Sequence, residues 1–291
     1  YFKPISRNTL EAIAYLVGYN LGDGNVSRNL CNTWFYGVNS DLEDLKKLLF
    51  KFKVKPVIYT YKINNGKMAV HDNAFSRFLV CCGAVIGDKT KSKYDVPKWI
   101  LDSGKASKLK LRFLQGYFDS ELSNIKSMKG KPFSHQSLKL YMCKHKDYIL
   151  DGKHFLNQVR SLTREFGVIS SEIKLDRVYI RGRDGSTMQQ LYFIIYSNCI
   201  NLYNFVKNIG FLYNLKRKTS STFVLTRIKS KAEMEMNKVK QYPRALKLRK
   251  SGFSAHNIAK KLLIKPYIVK NWVYYNRKPV LYNFIKKFNS S

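Results

Sequence analysis

Two stretches of the chain, "YLVGYNLGDG" from Tyr15 to Gly24 and "FLQGYFDSEL" from Phe113 to Leu122, each read as the last turns of an apolar helix that carries a glycine and stops on an acid. The acids are Asp23 and Glu121. Gly18 and Gly22 in one stretch, and Gly116 and Ser120 in the other, stand four residues apart and share a helix face. Small residues on a face let two helices approach closely. A carboxylate at a helix C-terminus opposes the helix dipole, at a cost of a few tenths up to about 1 kcal/mol. If the two faces pack together, Asp23 and Glu121 meet, and a cation has to offset them. Mg2+ suits such a place, since it takes a few carboxylate oxygens, keeps waters and is completed by substrate phosphate. Taken singly, Asp23 fits a Gly-Asp-Gly turn and Glu121 a surface acid. Their recurrence in a chain with 53 Lys and Arg but only 19 Asp and Glu argues for a shared role.

The surroundings of the two stretches repeat as well. A first helix is expected from Asn8 to Gly22, with Asn8 and Glu11 forming a capping box. Strands follow near residues 25–30 and 33–38, and then a helix capped by Ser40 and Glu43. A hairpin turns at Asn65-Gly66, and a helix runs from Asn73 to Gly83. The second apolar helix spans about Ser107 to Ser120, with strands near 123–128 and 137–143 and a helix from about His154 to Gly167. A second hairpin turns at Asp184-Gly185, before a last helix, "CINLYNFVKNIG". "FLVCCGAVIGDKTK" (78–91) aligns with "FVKNIGFLYNLKRK" (205–218), which sets Lys89 over Lys216 and Lys91 over Lys218. The expected fold class is therefore α+β, two pseudo-symmetric αββαββα halves, residues 1–101 and 102–232.

Beyond Glu235 the composition changes. Residues 237–291 hold fourteen Lys or Arg and no Asp or Glu. Their periodicity gives three short helices, the first begun by Pro243 and broken by Gly252, the second capped by Ser254, the third opened by Pro266. Ile258, Ala259, Leu262, Ile264, Val269 and Trp272 would form the core of an all-α helix-turn-helix module at 233–291. Its third helix would present Tyr267, Lys270, Asn271 and Tyr274 to a major groove.

The formal net charge of +34 predicts a polyanionic partner. Twenty Tyr and eighteen Phe interleaved with the cations, and no amphipathic lipid-facing helix, favour nucleic acid over membrane. No apolar run reaches 18 residues and the first residues lack a signal-like apolar stretch, so neither a membrane span nor secretion is expected. Five scattered cysteines without CxxC spacing read as free thiols of a reducing compartment, cytoplasm or organellar matrix.

The paired stretches resemble the two motifs of single-chain LAGLIDADG homing endonucleases. "LVGYNLGDG" and "LQGYFDSEL" both fit the nine-residue pattern with the acid at its eighth place, although Leu122 stands where the closing glycine is usual. The resemblance covers about Leu10 to Lys218 and extends to the hairpins and the basic K-x-K after each final helix. It implies a curved four-stranded antiparallel sheet in each half lying along the DNA major groove, with the motif helices as the pseudo-two-fold interface. Asp23 and Glu121, with the adjoining Gly22 and Ser120, would hold Mg2+, for which Mn2+ substitutes and which Ca2+ replaces without supporting cleavage. Lys89 and Lys216 would be the central basic residues, and Asn39 and Lys144 the polar positions before each half's second helix.

Metal-assisted hydrolysis of both strands of a long, pseudo-symmetric double-stranded DNA site by a monomer, with no protein partner, is then the expected function. Arg181 and Arg183 suit guanine, and Gln189 and Gln190 adenine, on either side of the second hairpin's turn. Two alternatives use the same scaffold: a transcription regulator that binds DNA without cutting it, and an RNA-splicing maturase.

Overall fold

The computed structural model describes residues 6–62, 64–128 and 131–283. Helix α1 (Arg7–Leu21) is buried on every side from Glu11 to Leu21, as a helix at the centre of a core must be. Its N-cap is Ser6, whose hydroxyl accepts from the Thr9 amide, and not Asn8. Strands β1 (Gly24–Val26) and β2 (Thr33–Val38), helix α2 (Asn39–Phe50), strands β3 (Val57–Lys62) and β4 (Asn65–Val70) and helix α3 (Asn73–Cys81) complete the first half. The strands form one antiparallel sheet in the order β1-β2-β4-β3. Two local expectations change here. Helix α2 starts at Asn39 without a side-chain cap, so Ser40 does not cap it. The hairpin turns one residue early, because Asn64 takes the left-handed conformation (φ 68°) and Asn65 and Gly66 pair within β4.

A short helix α4 (Lys98–Leu101) leads into α5 (Lys108–Glu121), capped by Ser107 as its sequence predicts. The second half then departs from the first. Within the strand expected near 123–128, residues 123–126 form none, and pairing stops at a bridge from Leu122 to Leu140. Ser123 ends the ladder: its amide donates to the Lys139 carbonyl (3.0 Å), and its hydroxyl accepts from the Lys139 amide (2.8 Å). The chain instead forms a small hairpin of its own, β5 (Ser127–Met128) with β6 (Lys131–His135). The main sheet is three-stranded, β7-β9-β8, from β7 (Leu138–His145), β8 (Lys174–Ile180) and β9 (Thr187–Ile195). Helix α6 (Ile149–Glu165) starts five residues before the expected His154, with Gly152 in its first turn lying against the Lys144 side chain. Helix α7 (Cys199–Asn208) closes the half.

The architecture is α+β, with two halves of similar element order, the second carrying three strands rather than two before its second long helix, and an all-α end. One continuous core spans both halves from Ala12 to Ala232, and a second cluster gathers Tyr242, Ala245, Ile258, Leu262, Val269 and Trp272. The link between them is a single helix, α8 (Leu215–Lys250), with Pro243 in its interior. Pro243 therefore does not begin a helix. It has no N–H for the Val239 carbonyl, and the helix nevertheless runs on through it, with Val239, Tyr242 and Ala245 buried around it. The expected boundary at 232/233 falls inside this helix. Helices α9 (Ala255–Leu262), capped by Ser254, and α10 (Pro266–Val273), opened by proline, follow. Leu263, in the left-handed conformation (φ 53°), ends α9. No helix among the described residues is long and apolar enough to cross a membrane.

Candidate functional site

The two motif helices meet backbone to backbone. A Cβ on Gly18 would collide with the Phe113 carbonyl oxygen, and one on Gly116 with the Tyr15 carbonyl oxygen. This reciprocal contact is the pseudo-two-fold relation that the small residues predict. One turn further on, a Cβ on Gly22 would overlap the Ser120 hydroxyl and lie 2.9 Å from the Glu121 Cγ. The ends of α1 and α5 therefore coincide, and Asp23 and Glu121 share one electrostatic environment. Burial pushes Glu121 up to about 8, Asp23 adds to the rise, and Lys89 and Arg217 oppose it. Asp23 is raised by the protein packed around it and lowered by the same two cations, while its side chain keeps an open path to solvent.

The cations that offset the helix ends are Lys89 and Arg217. Lys89 sits in a 3-10 turn (Lys89–Lys91) capped by Asp88. Its ammonium donates to the carbonyls of Asn20 (2.8 Å), Leu21 (3.1 Å) and Gly22, closing the C-terminus of α1. Burial draws its pKa down to about 8 against the pull of Glu121, Asp23 and Asp88. Arg217, in the first turn of α8, donates to the Phe118 (2.8 Å) and Asp119 (2.6 Å) carbonyls at the end of α5. Lys216 is exposed and does not reach the carboxylates. On a helix one residue is a rotation of about 100°, so only one of these neighbours can face inward, and it is Arg217.

Asp119, unmarked in the sequence reading, is a buried structural acid. It accepts from the Tyr15 hydroxyl (2.8 Å) and from the Leu212 (3.2 Å) and Tyr213 (2.8 Å) amides, fixing the approach to α8 against α1 and α5. Burial pushes it up to about 6 despite these bonds.

Among the described residues no group of three or more His, Cys, Asp or Glu side chains is placed to hold a metal. The donors at the helix ends are two carboxylates, a hard-oxygen set that fits an ion which keeps water and takes phosphate. The main-chain oxygens of Gly22 and Ser120 do not extend that set in this conformation. Gly22 accepts from Lys89, and Ser120 lies 3.5 Å from the Arg217 guanidinium.

Several expected DNA-reading residues are engaged elsewhere. Lys144 is 1% exposed; its ammonium donates to the Lys89 (2.8 Å) and Ser92 (2.7 Å) carbonyls and lies 3.9 Å from the Tyr94 ring centre. The amide oxygen of Asn39 is sealed against Gly66. Arg181, its side chain 14% exposed, pairs with Asp88 (3.0 Å) and Asp184, and Arg183 pairs with Asp88 (2.8 Å). These pairs latch the β8–β9 turn to the Lys89 turn across the halves, beside an open groove of about 810 Å³ walled by Arg28, Lys91 and Arg183. Gln189 is paired with Lys144 and shares its inward face, whereas Gln190 faces outward and accepts from Arg177 (2.8 Å), a residue the sequence reading passed over. In the tail, Tyr267 and Lys270 are exposed and Asn271 half-buried along α10.

No family model matches the chain. It is 28% identical over 245 residues to the DNA-directed RNA polymerase subunit Rpo1N of Methanocaldococcus jannaschii, covering 76% of this chain and 17% of that protein. It is 26% identical over 250 residues to the tRNA-splicing ligase RtcB of Pyrococcus furiosus (79% of this chain, 24% of the ligase). A replication factor C small subunit of Methanocaldococcus jannaschii is 27% identical over 216 residues, 69% of this chain and 11% of that subunit. The chain thus spans about a quarter or less of each of these curated relatives. Similar solved structures include a mesophilic variant of the homing endonuclease I-DmoI, at TM-score 0.42 and 15% identity over 70% of this chain and 92% of that one. Full-length DUF199/WhiA from Thermatoga maritima aligns at TM-score 0.43 and 15% identity over 99% and 94%.

Proposed function

We propose that the chain is a site-specific DNA endonuclease that hydrolyses both strands of a long, pseudo-symmetric duplex with the help of divalent metal, Mg2+ or Mn2+. The observation that carries this reading is the convergence of Asp23 and Glu121 at the abutting ends of two helices, flanked by Lys89 and Arg217. When bound, the metal would neutralise charge on the attacking and leaving oxygens of the phosphodiester. Asp23 and Glu121 would hold it, and it would supply an activated water for the attack. Lys89 and Arg217 keep the helix ends rigid and set positive charge beside the phosphate path, while Gln190 and Arg177 offer paired polar heads to base edges on the second sheet.

The relatives support a reading in which the chain is a segment with its own activity. A polymerase subunit, an RNA ligase and a replication factor share no single reaction, yet each matches this chain over only a small part of its length. Residues 1–101 and 102–232 act as the two catalytic halves, and 233–291 as a helix-turn-helix that extends the contact with duplex DNA through Tyr267, Lys270 and Asn271. The protein works as a monomer in a reducing compartment that holds DNA.

Selection of cleaved products from a randomised duplex library with Mg2+, against an EDTA control, tests the proposal. A defined site cut on both strands supports it, and no cleavage with Mg2+ or Mn2+ ends it. A second reading, a duplex-binding regulator without cleavage, draws on the occupation of the Gly22 and Ser120 carbonyls by Lys89 and Arg217. Specific binding with no cutting in the same library would favour it.

A further inference from the structure

The turn that carries Lys89 belongs to the first half but is held by the second. Its Lys89 and Ser92 carbonyls accept from the Lys144 ammonium of β7 (2.8 and 2.7 Å). Asp88, which caps the turn, uses its two oxygens differently. Oδ1 accepts from the Thr90 amide (3.1 Å) and the Thr90 hydroxyl (2.7 Å) within the turn. Oδ2 accepts from the Arg181 (3.0 Å) and Arg183 (2.8 Å) guanidiniums at the turn between β8 and β9. Arg181 also donates to the Thr90 hydroxyl (3.1 Å) and to Asp184 (2.9 Å), and the Lys91 ammonium donates to Asp184 (3.0 Å). Charge therefore alternates along Arg183, Asp88, Arg181, Asp184 and Lys91, and three of the four links join one half to the other.

These side chains keep part of their surface in solvent, and ion pairs so placed contribute little to stability. What a planar guanidinium fork on a carboxylate fixes is position. The part positioned is the turn that sets the Lys89 ammonium on the Asn20 and Leu21 carbonyls, beside Asp23 and Glu121. The part that positions it is the hairpin whose strands present Arg177 and Gln190. Strands β8 and β9 stay paired up to Ile180 and Thr187, next to the turn. A paired hairpin carries a displacement at its strands to its turn, and an ion-pair network passes it on.

We propose that Asp88 is a positioning residue that couples the β8–β9 hairpin of the second half to Lys89 of the first, so that the fit of the second half on its stretch of duplex sets the cleavage rate at the centre. The inference rests on the endonuclease reading and deepens it. The two roles of Asp88 are separable by one substitution. Asparagine caps a helical turn as well as aspartate does, but it lacks the charge that holds two guanidiniums.

Amide exchange and single-turnover cleavage, both on the full chain, test the coupling. Arg181→Gln combined with Arg183→Gln alters no residue of the first half. In EDTA it should nonetheless speed exchange of the Thr90 and Lys91 amides roughly 2- to 150-fold, the range over which members of one ion-pair network couple. Asp88→Asn should in turn speed the Arg181 and Gly185 amides, with the urea midpoint kept. With Mg2+ and saturating protein, Asp88→Asn should slow cleavage of bound duplex by a similar factor while duplex affinity is kept. A base-pair substitution in the flank read by Arg177 and Gln190 should slow cleavage of bound duplex by the wild type, and should change only affinity in Asp88→Asn. Exchange that changes only in the half carrying the substitution would overturn the coupling and leave the endonuclease reading intact. So would a flank substitution that slows both proteins equally. A wild type that cuts no duplex would end the endonuclease reading; exchange transmitted between the halves would then still support the coupling, and exchange confined to one half would overturn it. Should Asp88→Asn fail to fold, the arginine variant decides by the same exchange measurement.

Discussion

Lys89 and Arg217 stand in equivalent places about the two motif helices. One closes the α1 carbonyls at Asn20 and Leu21, the other the α5 carbonyls at Phe118 and Asp119, at the spacing that separates Asp23 from Glu121. The two sites are matched in position and different in chemistry, since an ammonium is a compact point charge and a guanidinium a planar fork that stays protonated. The halves are therefore unequal at their most symmetric point.

Asp23→Asn and Glu121→Gln should each abolish double-strand cleavage, a loss on the order of 10³-fold or more, with duplex binding retained. Single-turnover cleavage and gel-shift affinity, measured on the same preparations, check this. Either variant cutting both strands at the wild-type rate would remove the acids from catalysis.

Arg217→Met should slow cleavage, let nicked DNA accumulate and destabilise the fold by about 1–3 kcal/mol, because the Phe118 and Asp119 carbonyls lose their donor. Lys216→Met should do little to stability or cleavage. Denaturant midpoints and the ratio of nicked to linear product distinguish the two residues, and the reverse pattern would restore the role to Lys216.

Gly18→Ala and Gly116→Ala each put a methyl group into facing backbone. Overpacking should cost about 1–3 kcal/mol beyond the gain of about 1 kcal/mol in helix propensity. Gly182→Ala, with open space around its Cβ position, is the control and should be near neutral. Urea unfolding of the three variants measures the difference.

Burial draws Lys144 down to about 8, with Lys89 adding to the fall and Asp151 and Asp88 opposing it. Between about pH 8 and the ordinary lysine value near 10.4, the unfolded chain holds the proton more tightly. The contribution of Lys144 to stability should therefore rise with pH across that window and stay flat below it. The stability difference between wild type and Lys144→Met should shift in favour of wild type from pH 7.5 to pH 9.5. A difference independent of pH would show that the two carbonyl bonds hold the charge without penalty.

In the tail, Lys270→Gln should reduce the salt slope of duplex binding by about 0.9, since it removes one phosphate contact. Asn271→Ala should relax preference at one flanking base pair by about 1–3 kcal/mol. Footprinting and competition with flank-substituted duplexes read both effects, and unchanged values would leave α10 away from the target.

Much of this arrangement was legible in the chain. The small residues and terminal acids announced the paired helices, because a four-residue spacing can be read without knowing the partner. The apolar periodicity named the tail's core, from Ile258 to Trp272. What failed was local competition. The Ser123 hydroxyl cut short a strand that alternation alone would have extended, and Asn64 took the turn one residue before Asn65-Gly66. Arg217 was hidden in Lys-Arg-Lys, where composition is uniform and only the phase of α8 selects the inward residue. Lys144, Arg181 and Arg183 looked free as cations, but Asp88 and the Lys89 carbonyl that hold them lie in another turn across the interface, and Asp184 holds Arg181 within its own turn.

Helix α8 has one further consequence. Its 36 residues make a rod about 54 Å long, comparable to roughly 16 base pairs at about 3.4 Å each. It begins against the motif helices and ends inside the tail's cluster, so it acts as a ruler and as a crankshaft. One residue added or removed along it lengthens or shortens the reach by about 1.5 Å and swings α10 through about 100°, whereas seven residues restore the bearing almost completely. Whatever α10 touches is thus metered against Asp23 and Glu121 in both distance and angle, and Pro243, the proline inside that helix, is where the metering can give.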